Sequence, residues 1–426
     1  MKTLWVNSNF MHPTTKGGQI RTLEMLRHLH RWHEIHYVAI ENPAQPEGPA
    51  RAREYSYKSY PFPYQVPSKT SPAFYAELLR GLFSPTPVAV ERFHPPGMRA
   101  FLEDLIRRER FHCAVVDHLA PTSYFPDLPH AVFFQHNVET VIWRRHVEHA
   151  ANPLRRAYFK LQADRMYRYE RRVSQAAGHI VAVSRTDAEE MRRLFDVTRV
   201  TEIPTGVNID YFLPSRTAGV PSGSACQGGQ GGQGGTGASA CQPALTADLV
   251  FVGSMDWLPN VDGVLYFVRE ILPLIRRHRP ATTLAIVGRT PPPKILQLAA
   301  EDSGIQVTGT VPDIRPYLWN SAVSIVPLRI GGGTRLKIYE AMAAQIPVVS
   351  TTIGAEGLSV NPPQDIRIAD TPDRFAAHCL ELLGDPEIRA RLSRSAWQMV
   401  NANFSWEHVA RCFEKILENG PRLSVT

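Results

Sequence analysis

Three glycines, two cations and a carboxylate fall together in Gly331-Gly-Gly-Thr-Arg-Leu-Lys-Ile-Tyr-Glu340. An apolar run, Val323–Val326, leads into them, and a helical period over Arg335–Ala344 follows. Without Cβ atoms, Gly331, Gly332 and Gly333 let a ligand approach the backbone and, with Thr334, offer it N–H groups. The helix start behind them adds partial positive charge suited to phosphate. Arg335 and Lys337 place full positive charges in the first turn, where the helix dipole disfavours them, so an external anion is the expected counter-charge. Glu340, about a turn beyond Lys337, could accept hydrogen bonds from hydroxyls of the same ligand. The plainer alternative is a tight strand–helix turn with a Lys–Glu surface pair.

A second group lies in the first half, where Asp117-His118 and Gln135-His136-Asn137-Val-Glu139 each follow an apolar run. If the runs are parallel strands, both histidines stand at carboxyl ends, where doubly wound sheets bind ligands. There an imidazole can donate to a sugar hydroxyl or phosphate oxygen and move a proton near neutral pH. His118 is the candidate catalytic group. His136, Asn137 and Glu139 are acceptor-side candidates, and Asp117 could orient His118 or cap a turn.

The elements that must position these groups read as alternating β and α. In the first half, strands are expected near Thr3–Val6, Ile35–Ile40, Cys113–Asp117, Ala131–Gln135, His179–Val183 and Val200–Ile203. Helices are expected at Gln19–Trp32, Gly97–Arg110, one long stretch within Glu139–Val173, and Arg185–Phe195 behind an N-cap at Ser184. Residues 42–96, rich in Pro, Tyr and Ser, give no order. In the second half, strands are expected at Leu249–Gly253, Thr283–Val287, Ile305–Thr308, Val323–Val326 and Pro347–Ser350. Apolar residues from Val261 to Ile275 recur at helical spacing, and Trp406–Leu417 reads as an amphipathic helix. Residues 215–243 are mostly Gly, Ser, Ala and Gln, too poor in apolar groups to order, and are expected to form a flexible insert.

The chain thus reads as an α/β protein of two doubly wound Rossmann-like domains facing across a cleft. The expected parts are 1–203, 204–402 with the insert, and a final segment, 403–426, crossing back to the first domain. The 426 residues are 43% hydrophobic and 20% charged, with a net charge of +7, a soluble globular profile favouring anionic partners. Five cysteines show no metal or disulfide-scaffold spacing. No apolar run approaches the ~20 residues of a membrane span, and Met1–Asn7 turns polar too soon for a signal peptide. A cytoplasmic location is expected. The segment Leu154–Arg172 is rich in Arg and Lys, either as a core-packed helix with a solvated face or as a surface for anionic lipid on the inner face of a membrane. No zinc-finger, RNP-type or helix-turn-helix pattern supports nucleic-acid binding.

Taken in order, these motifs resemble the retaining GT-B glycosyltransferases of family 4. The strand–Gly331-Gly-Gly-Thr-Arg-Leu-Lys-Ile-Tyr-Glu340 block is similar to their donor signature, and Gly17-Gly18 follows the first strand. Pro204-Thr-Gly-Val-Asn stands at the domain crossing, and Phe251-Val-Gly-Ser-Met-Asp-Trp-Leu-Pro-Asn260 opens the second domain. Ile286-Val-Gly-Arg and Val307-Thr-Gly-Thr-Val-Pro-Asp313 follow. The resemblance implies transfer of a sugar, with retention, from a UDP- or GDP-type donor to a hydroxyl of a saccharide or lipid-linked saccharide. It implies no cofactor and no metal. Glu340 would hold the nucleotide ribose, while Arg335 and Lys337 would neutralise the leaving diphosphate. Gly17 and Gly18 would contact that diphosphate, and Val311 would meet the base. The chain departs from the pattern at Gly332, where the family commonly has Glu, and at Ser254 and Asn260, where it commonly has Arg and Lys; Ser254 stays a donor-binding candidate. Another GT-B activity, such as a nucleotide-sugar epimerase, and a non-catalytic sugar-nucleotide-binding protein are the alternatives.

Overall fold

In the computed structural model the chain forms two α/β units, and the described residues are 1–14, 17–68, 71–148, 150, 152–214, 246–330 and 336–423. One unit comprises Met1–Gly206 with Trp406–Thr426, the other Val207–Ser405.

The first unit is built on seven strands, β1 (Lys2–Val6), β2 (Glu34–Glu41), β3 (Lys58–Pro63), β4 (Cys113–Asp117), β5 (Val132–Gln135), β6 (His179–Ala182) and β7 (Val200–Glu202). They pair in parallel in the order β3-β2-β1-β4-β5-β6-β7. Chain order reverses between β1 and β4, which opens a crevice at their carboxyl ends. Continuous apolar strands such as Cys-Ala-Val-Val are buried along their length, as a sheet covered on both faces requires. Helices of seven residues or more are α1 (Gly17–Leu29), α2 (Pro72–Arg80), α3 (Met98–Glu109), α4 (Glu139–Glu148), α5 (Pro153–Ala176) and α6 (Arg185–Phe195).

The second unit has six parallel strands, β8 (Ala247–Val252), β9 (Leu284–Val287), β10 (Ile305–Val307), β11 (Ser321–Val326), β12 (Val348–Ser350) and β13 (Arg367–Ile368). Their order is β10-β9-β8-β11-β12-β13, so the reversal falls between β8 and β11. Its helices are α7 (Leu258–Tyr266), α8 (Leu272–His278), α9 (Pro293–Glu301), α10 (Leu336–Ala343), α11 (Pro372–Gly384) and α12 (Pro386–Phe404). The last helix, α13 (Trp406–Asn419), returns to the first unit, where Trp406, Val409, Phe413 and Leu417 enter the core beneath β1 and β5.

Four expectations differ from this structure. The long helix within Glu139–Val173 is two helices: Pro153 cannot continue a helical hydrogen-bond ladder, and the Asn152 side chain caps α5 by accepting from the N–H groups of Leu154 and Arg155. The apolar period over Val261–Ile275 runs through a π-helical turn at Phe267–Ile271 between α7 and α8, placed just before Pro273. Residues 42–96 contain an edge strand, β3, and the helix α2. β3 tolerates Pro61 and Pro63 because it has a neighbour on one side only. The core-packed stripe of the basic helix holds for Met166, Tyr169 and Val173, whereas Leu154 stands in solvent. The Gly-rich insert expected at 215–243, with Cys226 and Cys241, lies outside the described residues.

Candidate functional site

At the β1/β4 reversal a buried carboxylate organises the first cluster. Asp117 Oδ2 accepts from Trp5 Nε1 (3.0 Å), Asn7 Nδ2 (2.7 Å) and Thr22 Oγ1 (2.9 Å), and Oδ1 lies 2.8 Å from His136 Nε2. Burial works to raise its pKa, but the imidazoles beside it and its hydrogen bonds outweigh this and hold the carboxyl below the usual range. Burial drives the His136 pKa down, so this imidazole is neutral at pH 7 and donates Nε2–H to the carboxylate. His136 Nδ1 is then a buried lone pair with no hydrogen-bond partner among the described residues, and a glycine Cβ built at Gly18 would stand 3.5 Å from it.

His118 stacks on His136 with ring centroids 3.9 Å apart and planes 20° apart. Its backbone is left-handed at φ 73, an unfavourable conformation for a residue with a Cβ, held by its N–H on Phe134 O (2.9 Å). Asp117 therefore orients His136 directly, and His118 through the stack. The expected direct pairing is a 3.9 Å approach of His118 Nε2. Gly18 lies in the first turn of α1, with His118 Cε1 3.4 Å from where its Cβ would be, while Gly17 has nothing among the described residues within 4 Å of such an atom. Asp117, His118 and His136 offer ligand atoms within 4.8 Å of one another. A cation must lie in the plane of each imidazole that binds it, and near-parallel stacked planes share no such point, so the trio is a hydrogen-bonded stack and not a metal cage.

Asn137 is exposed and Glu139 half-buried at the start of α4. The neighbouring Glu170, fully buried on α5, accepts from Gln135 Nε2 (2.9 Å), the N–H groups of Glu139 (2.9 Å) and Thr140 (2.7 Å), and Thr140 Oγ1 (2.6 Å). Burial, helped by the Glu170 charge, pushes the Glu139 carboxyl up to about 7. Arg21, one turn into α1, is pushed down to about 10 by burial and stays cationic at neutral pH, its Nε buried without a hydrogen-bond partner among the described residues.

At the β8/β11 reversal stands the second cluster. Lys337, in the first turn of α10, donates to Asn260 Oδ1 (2.8 Å), and Asn260 Nδ2 donates to Ser254 O (2.7 Å). The ammonium lies 4.4 Å from the Phe251 ring centroid and 2.6 Å from where a Cβ on Gly253 would be, so Gly253 is the residue that admits it. Gly288, at the end of β9, is equally constrained, since its Cβ would fall 1.8 Å from Gly253 O. Ser254 Oγ donates to Asp256 Oδ1 (2.5 Å) and accepts from Arg289 Nε (2.8 Å). Ile338, Tyr339, Ala341 and Met342 bury one face of α10, and Tyr339 stacks on Phe404 at 4.3 Å. Lys337 and Glu340 are thereby left on its half-exposed side. Burial raises the Glu340 carboxyl, with Lys337 opposing. Val311 packs partly against the core beside Gly309, whose φ of 68 turns the chain after β10. Gly331, Gly332, Gly333, Thr334 and Arg335 lie outside the described residues.

Sequence reading missed Asn7, Trp5, Thr22, Glu170, Arg21 and Arg289. Spacing gave a signal for Thr22, one helical turn after Gly18, and for Asn7, which directly follows β1. Arg289 closes the Ile286-Val-Gly-Arg motif, but nothing local pairs it with Ser254, which it reaches from the neighbouring strand end.

This architecture is the GT-B fold. Residues 15–211 match the family described as Glycosyltransferase Family 4, and residues 246–385 the family described as Glycosyl transferases group 1. Among solved structures, a sucrose-phosphate synthase from Thermosynechococcus elongatus is similar at TM-score 0.62 and 16% identity, over 98% of both chains. The Anabaena protein HepE in complex with UDP is similar at TM-score 0.62 and 10% identity, over 98% of this chain and 100% of that one. A curated relative, the GDP-mannose-dependent monoacylated alpha-(1-6)-phosphatidylinositol monomannoside mannosyltransferase of Corynebacterium glutamicum, is 28% identical over 164 residues, 36% of this chain and 43% of its own length. The chain matches less than half the length of such curated relatives.

Proposed function

We propose that this protein is a retaining glycosyltransferase that moves a sugar from a UDP- or GDP-sugar to a hydroxyl of a saccharide or lipid-linked saccharide, in polysaccharide or glycolipid assembly. The observation that carries the reading is the Lys337 ammonium, standing over Gly253 at the β8/β11 reversal in a helical first turn that disfavours a cation. The match to glycosyltransferase families across both units supports it, as do the UDP bound by HepE and the GDP-mannose named for the Corynebacterium enzyme.

As the anomeric C–O bond breaks, negative charge grows on the diphosphate, and preorganised cations and N–H groups stabilise that charge where it develops. Lys337, with Arg335 and the backbone of Gly331–Thr334, fills this role. Arg335 and Lys337 take over the phosphate contacts that Ser254 and Asn260 cannot make as cations. Glu340 holds the ribose hydroxyls, Val311 meets the base, and Gly17 and Gly18 receive the diphosphate at the start of α1. His118, backed by neutral His136 and ionised Asp117, contacts the transferred sugar. The acceptor hydroxyl attacks the face the phosphate leaves, and that phosphate takes its proton. His136, Asn137 and Glu139 border the acceptor. The work is done at a membrane's inner face or in the cytoplasm.

The test is a thermal-shift screen with UDP, GDP, ADP and their sugars, followed by product analysis with saccharide acceptors. Lys337→Ala should weaken nucleoside-diphosphate binding by about 10- to 100-fold, the worth of one charge-assisted contact. Its melting temperature should not change. Unchanged affinity in that variant would end the phosphate assignment. Turnover of donor to an isomer without an acceptor product would favour the epimerase.

A further inference from the structure

Four exposed large apolar groups of the first unit fall in one short segment, from Tyr75 to Phe83. α2 presents Tyr75 and Leu79, which are 59% and 64% exposed and one turn apart, and the turn after it presents Leu82 (38%) and Phe83 (90%). A solvated Phe side chain is costly, and a contiguous exposed apolar patch marks an interaction surface.

The turn is not loose. Arg165, itself buried on α5, donates Nη1 to Gly81 O and Nη2 to Leu82 O (2.6 Å). Farther along, Val88 N donates to Gln162 Oε1 (3.0 Å), so the segment lies along α5. Helical spacing puts Leu154 (81% exposed) on the same face of α5 as Arg165, eleven residues earlier. Arg155, Arg156, Lys160, Arg168 and Arg172 are exposed along this helix, with Asp164 the exposed acid among them. A buried cation thus anchors an apolar projection to a helix whose solvent face is strongly basic.

We infer that this edge, Tyr75, Leu79, Leu82 and Phe83 with the basic face of α5, docks on an anionic lipid bilayer. The apolar side chains enter the acyl boundary while the guanidinium and ammonium groups meet lipid phosphates. The charge pattern selects this occupant. A protein partner for so basic a helix would have to be acidic and grooved, whereas an anionic bilayer supplies both the negative surface and the apolar layer beneath it. No helix among the described residues is long and apolar enough to cross a membrane, so the attachment is peripheral. The inference does not rest on the transferase reading, because it invokes neither reversal-point cluster.

The experiment is flotation of the full chain with phosphatidylglycerol/phosphatidylcholine vesicles and with phosphatidylcholine vesicles, at low and high salt. Binding is expected to anionic vesicles alone and to fall with salt. Phe83→Asp should lower it about tenfold, and Arg155→Glu with Arg156→Glu should do the same. Both variants should keep the wild-type melting temperature, because these side chains are exposed. Failure to bind anionic vesicles at low salt, or binding indifferent to Phe83→Asp, would overturn the proposal. A concentration-dependent dimer that Phe83→Asp dissolves would assign the face to a second copy and overturn it equally.

Discussion

Two glycines at reversal points set what can approach the polar groups beside them. Gly253 yields its Cβ space to Lys337, and Gly18 leaves open the space in front of His118 and His136. A methyl at position 18 would meet those rings at 3.4–3.6 Å, ordinary contact, so the fold should accept it. Gly18→Ala is therefore expected to keep or raise the melting temperature, since Ala is favoured over Gly in a helix by about 1 kcal/mol. Turnover should nevertheless fall at least about tenfold as the approach narrows. Normal turnover would show that no ligand enters there. Glu139 makes a prediction about pH. Its folded pKa of about 7 lies above the unfolded value, so its ionisation costs stability as pH rises and costs nothing below the unfolded pKa. Glu139→Gln should therefore stabilise the protein at pH 8 by at most about 3 kcal/mol and leave it unchanged at pH 4. Melting curves of both proteins across that range would decide; a gain that does not vary with pH would contradict the burial of this carboxyl.

At the scale of elements, α13 supports the histidine cluster from behind the sheet. Phe413 contacts Trp5 (5.4 Å) and Phe134 (5.2 Å), and Phe134 in turn packs against His136 (4.4 Å). Trp5 also donates to Asp117, so one aromatic layer backs both members of the Asp–His pair. Phe413→Ala should cost about 3–5 kcal/mol of stability, the usual loss for a fully buried Phe. The loss should appear in denaturant unfolding. A cost below about 1 kcal/mol would mean the helix does not load this layer. Glu170 plays the corresponding part for α4, tying its first amides to β5 through one carboxylate.

At the scale of the whole molecule, the two units differ in how the chain closes them. Val207–Ser405 is continuous and has its own core, whereas the first unit needs Trp406–Thr426 to cover Trp5 and Phe134. A fragment of residues 207–405 should unfold cooperatively and, on the reading proposed above, bind a nucleoside diphosphate through Lys337. Residues 1–206 alone should expose that apolar layer and aggregate. Circular dichroism and calorimetry on the two fragments would check this, and a well-folded 1–206 monomer would refute the structural need for α13.

The parallel strands and the positions of their ends were legible in the residues themselves. Buried parallel strands must be nearly continuous apolar runs, and histidines or glycines that break such runs mark the strand ends. That logic put Asp117, His118, His136 and Gly253 at strand ends, where they stand, and the glycine run put Lys337 in the first turn of a helix. It could not locate Arg289, Thr22, Asn7 or Glu170 as partners, because each reaches its group from a different element. It left Asp117 to orient the adjacent His118 or to cap a turn, whereas the packed side chain pairs with His136, nineteen residues away. Periodicity carried α4 through Pro153 into α5 and carried an unbroken helix to Ile275, since period alone does not register a ladder break. Composition and period are local properties, so the local sequence determined the strands, the amphipathic faces and the inventory of charges. Only the tertiary structure decided which charges meet, which carboxyl is buried and which apolar groups stay outside, because those depend on close packing between segments far apart in the chain.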